Sequence, residues 1–91
     1  VTFEWDPRKA RQNRRKHRVS FQEAITVFGD PFAATYPDPD HSEMEHRFIT
    51  VGMSNANRVL LVVHADGREN IRIVTARRAT PRERENYEEE N

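Results

Sequence analysis

No cysteine occurs among the 91 residues, which excludes a disulfide framework, a thiolate metal site and a cysteine nucleophile. Glycine is scarce. Gly29, Gly52 and Gly67 stand far apart, so no glycine-rich loop is available to cradle a nucleotide phosphate. Long apolar runs are missing too. The longest is Val59 to Val63, far below the length that spans a bilayer. The first residues run straight into Glu4, Trp5 and Asp6, without the apolar stretch of a signal peptide. The expectation is one cytoplasmic domain over residues 1–91, with no membrane contact. Mean hydropathy is −0.96, yet Val, Ile, Leu and Phe gather in short runs, which argues against disorder. A chain of this length buries about two thirds of its unfolded surface, enough for one modest core.

An excess of charge of either sign is also absent: 15 basic residues meet 15 acidic ones. The balance hides blocks. Residues 1–20 hold seven basic side chains against Glu4 and Asp6, while residues 21–46 hold six acids and neither Lys nor Arg. Residues 47–78 carry six arginines against Asp66 and Glu69, and the remainder turns acidic again. A polyanion responds to the local field of a patch, so a neutral chain can still bind nucleic acid. Mutual neutralisation of the blocks within the fold is the equal alternative.

Thr2 to Trp5 reads as an edge strand. Asp6-Pro7 starts a helix, Asp as N-cap and Pro in its first turn, that runs from Arg8 to His17 with Ala10 as its one apolar residue. Ser20 and Glu23 form a capping-box pattern. Behind it Phe21, Ala24, Ile25 and Phe28 lie on one helical face that ends at Gly29. Pro31 to Ser42 reads as extended loop, with an edge strand near Phe32 to Tyr36. Three strands follow, over His46 to Met53, Arg58 to His64 and Ile71 to Arg77, the second almost wholly apolar and therefore central. Their short turns favour antiparallel hairpins. Thr80-Pro81-Arg82-Glu83 opens a last helix through about Glu89, with the acidic tail 88–91 expected to fray. The order predicts an α+β domain: an antiparallel sheet of three to five strands, two N-terminal helices and one C-terminal helix.

His41, Glu43, Glu45 and His46 supply metal-type donors, but at irregular spacing in a Pro-rich loop, which makes a weak metal motif. No metal and no cofactor are expected. Ser20, Ser42 and Ser54 look committed to a cap, a loop and a turn. What remains is arginine, histidine and carboxylate, a set that can cut RNA without metal. A base must take the 2′-hydroxyl proton, a cation must offset charge on the phosphorane, and an acid must protonate the leaving 5′-oxygen. Glu45 and Arg47 share a face at the start of a strand. Arg77 joins them if the strands pair closely, and its planar fork suits phosphate. A structural salt bridge between Glu45 and one of these arginines is the better reading on spacing alone. His17, at the C-terminal end of the basic helix, is either a general acid or a cap favoured by the helix dipole. Arg8, Arg11 and Arg15 recur on one side of that helix as a candidate RNA track. Arg72, Arg84 and Tyr87 complete the candidate RNA contacts, although a Tyr on a helix over a sheet is more often core. His64, ending an apolar strand, reads as a partly buried sheet residue.

Several stretches, taken in order, resemble one family. They are Phe3-Glu4-Trp5-Asp6-Pro7 with Lys9-Ala10 and Asn13, then Lys16-His17-Arg18-Val19-Ser20-Phe21 with Glu23-Ala24, then Val27-Phe28 with Asp30-Pro31. In the second half they are Glu45 with Arg47, Val51-Gly52-Met53-Ser54, Arg58-Val59-Leu60, and Ile71 through Thr80, closing on Glu83-Arg84-Glu85 and Tyr87-Glu88. The pattern is similar to that of BrnT toxins over roughly residues 3 to 88. The resemblance implies a metal-free endoribonuclease toxin of a type II toxin–antitoxin pair with a RelE-like fold. It also implies a BrnA-like antitoxin of the DNA-binding ribbon-helix-helix kind, and a complex that represses its own operon at operator DNA. Arg18 departs from the family, which usually has Gly there, and His64 stands where an aromatic is more usual. A non-catalytic nucleic-acid-binding regulatory module and an inert scaffold binding through the acidic loop are the alternatives.

Overall fold

The computed structural model describes residues 1–40 and 46–90. Among these residues, five strands form one mixed sheet in the order β1-β5-β4-β3-β2. They are β1 (Thr2–Glu4), β2 (Ala34–Pro37), β3 (Arg47–Met53), β4 (Val59–Asp66) and β5 (Asn70–Arg78). The apolar β4 is the central strand, as its composition predicts. It pairs antiparallel with β3 and β5, and β3 pairs antiparallel with β2. The edge strand β1 joins β5 in parallel, which makes the sheet mixed instead of wholly antiparallel. The connection that this parallel pairing requires starts with helix α1 (Pro7–His17) and takes in the whole chain as far as β4.

The helices begin where their caps dictate. Asp6 accepts the Arg8 N–H at 2.8 Å, and Pro7 takes the first helical position of α1. Ser20 accepts the Glu23 N–H at 3.0 Å to start α2 (Phe21–Ile25). The expected reciprocal half of that capping box does not form, because the Glu23 carboxylate turns to Arg58 and Ser54. A 3₁₀ turn over Thr26–Gly29 then tightens the end of the apolar face. Helix α3 (Pro81–Glu89) carries a complete capping box between Thr80 and Glu83.

Two apolar clusters flank the sheet. On the first face Val19, Phe21, Ala24 and Val27 pack against Leu60, Val62, Ile73 and Ala76. On the second, Val51, Val59 and Leu61 pack with Tyr87 of α3 and with Ala79. Gly52 is required where the 3₁₀ turn crosses β3, since a Cβ there would lie 2.8 Å from the Ala33 Cβ and 2.9 Å from the Val27 Cγ1.

One irregularity governs which side chains share a face. Thr75 pairs with Val63 and Ile73 with His64, leaving Val74 unpaired as a β-bulge. Strict alternation along β5 would put Arg72 and Arg77 on opposite faces. With one extra residue between them, Arg72, Thr75 and Arg77 all face the same way as Ala65, Val63 and Leu61.

Candidate nucleic-acid interface

Helix α3 covers only one end of the second sheet face. The register leaves a row of Arg47, Ala65 and Arg72 at the other end, extended by Glu4 of β1. The next row is Tyr36, Ile49, Val63 and Thr75, and Arg77 follows at the level of Leu61. Leu61 lies four positions along β4 from Ala65, so Arg77 lies about 13 Å from the Arg47 row along the strands. The three arginines therefore border one surface without meeting at a point. Thr75 and Tyr36 are exposed between them, whereas Ile49 and Val63 are half-buried.

Arg77 is held. Its guanidinium makes two parallel bonds to Glu83, Nη1 to Oε1 at 2.8 Å and Nη2 to Oε2 at 3.0 Å. The hydrogen bond from Arg77 holds the Glu83 carboxyl below its ordinary value, and Glu83 in turn raises Arg77. The salt-bridge reading of an arginine here thus has a geometry, with Glu83 on α3 as the carboxylate. Glu45, the partner weighed from spacing, lies outside the described residues, as do His41 and Glu43. Among the described residues, no three His, Asp or Glu side chains come together as a metal set.

Arg47 and Arg72 are half-buried. Beside Arg72 a depression of about 580 Å³ opens at the β4–β5 turn, lined by His46, Arg68 and the acids Glu4, Asp66 and Glu69. Tyr36 is 43% exposed. Burial of its other side pushes its phenol up, and the Glu83 charge adds to that. The Pro-rich context around Tyr36 concealed its place. Only the pairing of Tyr36 with Ile49 shows that it stands on the arginine-bearing face.

His17 is half-buried at the end of α1 and lines a separate groove against β5, with Lys9, Lys16 and Thr75. It is not adjacent to the Arg47 row, but Thr75 belongs to both surfaces. Arg8, Arg11 and Arg15 are exposed on the outer side of α1. Arg84 is exposed on α3 and approaches Glu88 at 3.8 Å. Tyr87, weighed as a stacking platform, is half-buried against the Val51 cluster, and its hydroxyl donates to Asp30 at 2.5 Å. Burial and that bond push its phenol up to about 12. It packs at the edge of the core, between α3 and the sheet.

Two polar residues with structural duties were not legible as such. Asn13 is buried at the middle of α1. Its amide donates to the Ala76 carbonyl at 2.8 Å, and its Oδ1 accepts the Ala76 N–H at 3.1 Å. It thereby substitutes for a strand partner along β5 above the short β1. His64 is more buried than expected, with 1% exposure. Its Nδ1 pairs with Asp66 at 2.6 Å and its Nε2 with the Thr50 hydroxyl at 2.7 Å, between the rings of Phe28 and Phe48.

A family model described as the ribonuclease toxin BrnT of a type II toxin–antitoxin system matches residues 5–83. Among solved structures, the chain is similar to the ribonuclease toxin BrnT of Brucella abortus, with 20% identity and a TM-score of 0.68. That match covers 88% of this chain and 99% of the Brucella chain, and at such identity it concerns the fold. No curated protein matches.

Proposed function

The chain belongs to the BrnT family of ribonuclease toxins of type II toxin–antitoxin systems, and from that premise we propose that it cleaves RNA without a metal ion on the uncovered part of its second sheet face. The observation that carries this reading is the β5 bulge, which turns Arg72 and Arg77 to the face that Arg47 also occupies. Phosphate oxygens accept hydrogen bonds, and guanidinium forks donate them in matching pairs. Arg47, Arg72 and Arg77 border the path of the backbone, Tyr36 offers a ring for a base, and His17 and Glu45 serve as the acid–base pair.

In the reaction a base removes the 2′-hydroxyl proton and that oxygen attacks the adjacent phosphorus. Negative charge grows on the phosphorane, where the guanidinium nearest the scissile phosphate stabilises it while the others hold neighbouring phosphates. An acid then protonates the departing 5′-oxygen, leaving a 2′,3′-cyclic phosphate and a free 5′-hydroxyl. Purified protein incubated with RNA in EDTA tests the proposal directly. Cyclic-phosphate ends are expected, and retardation of RNA without cleavage would favour a regulatory binding module instead.

Membership of a type II family implies an antitoxin partner. We assign that role to a BrnA-like ribbon-helix-helix protein, which contacts operator DNA in the complex and represses the shared operon. The cytoplasm is the compartment where such a pair acts. No helix among the described residues is long and apolar enough to cross a membrane.

A further inference from the structure

We infer that the groove between α1 and the edge of β5 binds backbone phosphate of the RNA, with Lys9 and Lys16 as its cations and His17 beside the bound phosphate. The inference rests on the ribonuclease reading above and names how that site holds its substrate. The groove encloses about 250 Å³ and is lined by Lys9, Gln12, Lys16, His17 and Thr75, closed by Val74 and Asn13. Lys9, Gln12 and Lys16 recur at i, i+3 and i+7, one stripe of the helix, so both ammonium groups border the same trough. They stand about 10 Å apart along the axis, which makes a track and not a point site.

Three observations select an anion. No carboxylate lines the groove among the described residues. Among the described residues, neither lysine nor His17 has a side-chain hydrogen bond or ion pair. The Asn13 carboxamide is already committed to Ala76 and Val19, so it shapes the floor without competing for the ligand. The larger depression at the β4–β5 turn differs in this respect, because charges of both signs line it, Arg68 and Arg72 against Glu4, Asp66 and Glu69. Arg8, Arg11 and Arg15 are exposed on α1 and do not line this groove. Thr75 makes the groove continuous with the arginine-bearing face, standing between Arg72 and Arg77 on the strand. A chain lying along the groove therefore passes onto that face.

The test uses the full chain, inorganic phosphate and a 2′-O-methyl RNA that cannot be cleaved. Imidazole NMR signals are followed during phosphate titration, with His17 assigned by their loss in His17→Gln. Expected are movement of the His17 signals in the parent and none in Lys9→Gln/Lys16→Gln. For the 2′-O-methyl RNA, the paired variant should bind 10-fold or more weakly, and its log–log salt slope should drop by about 0.7 per lysine. Lys9→Arg/Lys16→Arg should restore most of the affinity. Arg14→Gln/Arg82→Gln removes equal charge outside the groove. If it weakens binding as much as the lysine pair, or if phosphate leaves His17 unmoved, the groove is not the site. A parent that cleaves RNA while the lysine pair cleaves equally well overturns the groove and leaves the ribonuclease reading standing. Phosphate bound at His17 in a parent that never cleaves RNA supports the groove and overturns that reading.

Discussion

The carboxamide of Asn13 meets the Ala76 backbone on both its donor and acceptor sides and also bonds the Val19 carbonyl at 3.0 Å. Asn13→Ala would leave all three buried groups unpaired, at a cost of about 2–4 kcal/mol. Urea denaturation should show the midpoint falling accordingly, and an unchanged midpoint would mean that water replaces the amide. Arg18 shows the opposite economy. It ends α1 at φ 60° and ψ 31°, a left-handed conformation that crowds the Cβ of any residue but glycine. Arg18→Gly should therefore stabilise the protein by about 0.5–1 kcal/mol, the relieved strain partly offset by a more flexible unfolded chain. A lower melting temperature for this variant would contradict the account.

Between elements, three carboxylates act as ties. Glu23 joins α2 to the β3–β4 turn through Arg58 and Ser54, and Arg58 also reaches the Arg18 carbonyl at 3.2 Å. Its bond to Arg58 holds the Glu23 carboxyl below its ordinary 4.5 despite some burial. Glu83 joins α3 to β5 and is lowered by Arg77 in the same way. Burial works against the Asp30 carboxylate, but the Met53 N–H, the Tyr87 hydroxyl and the Phe32 N–H together leave it below 3.8. For a carboxyl depressed by folding, the unfolded chain binds the proton more readily. Its stabilisation is therefore present above the unfolded value and lost as pH falls through the folded one. The urea midpoint should decline as pH drops below 4.5, the ordinary value of Glu23 and Glu83. Glu23→Gln should start from a lower midpoint and decline less steeply. An acid limb as steep as the parent's would place the responsible groups elsewhere.

At the scale of the molecule, the uncovered face gives the arginines distinguishable roles. Arg47→Ala or Arg72→Ala should lower RNA cleavage by about 10²–10³-fold, the usual loss on removing one stabiliser of developing charge. Arg77→Ala should lower cleavage and the melting temperature together, because Glu83 loses its bidentate partner. Glu83→Gln separates these effects by weakening the tie while keeping the guanidinium. Parent-like cleavage by Arg77→Ala would leave Arg77 as a purely structural residue. An antitoxin that silences this face by covering it must meet the arginines with carboxylates or carbonyls, since unpaired buried guanidiniums cost several kcal/mol each. Hydrogen exchange on the complex should then show protection over residues 46–49 and 72–78. Protection confined to residues 36–40 would instead fit inhibition at a distance.

Local chemistry made much of this fold readable in one dimension. Asp6-Pro7, Ser20 and Thr80-Pro81 act on backbone groups within a few residues of themselves, so the three helix starts follow from sequence. The apolar run at Val59 to Val63 can only be satisfied by burial on both faces, so its central place in the sheet follows too. Pairing across the sheet is a different kind of fact. The bulge at Val74, the carboxylate that grips Arg77, the parallel return of β1 beside β5 and the placement of Tyr36 all depend on which strand lies next to which. Asn13 looked like one more polar residue on a polar helix until α1 came to rest against an unpaired edge. Periodicity told which residues face together within a strand, but one extra residue in β5 reversed that for Arg77, and only the register to β4 records it.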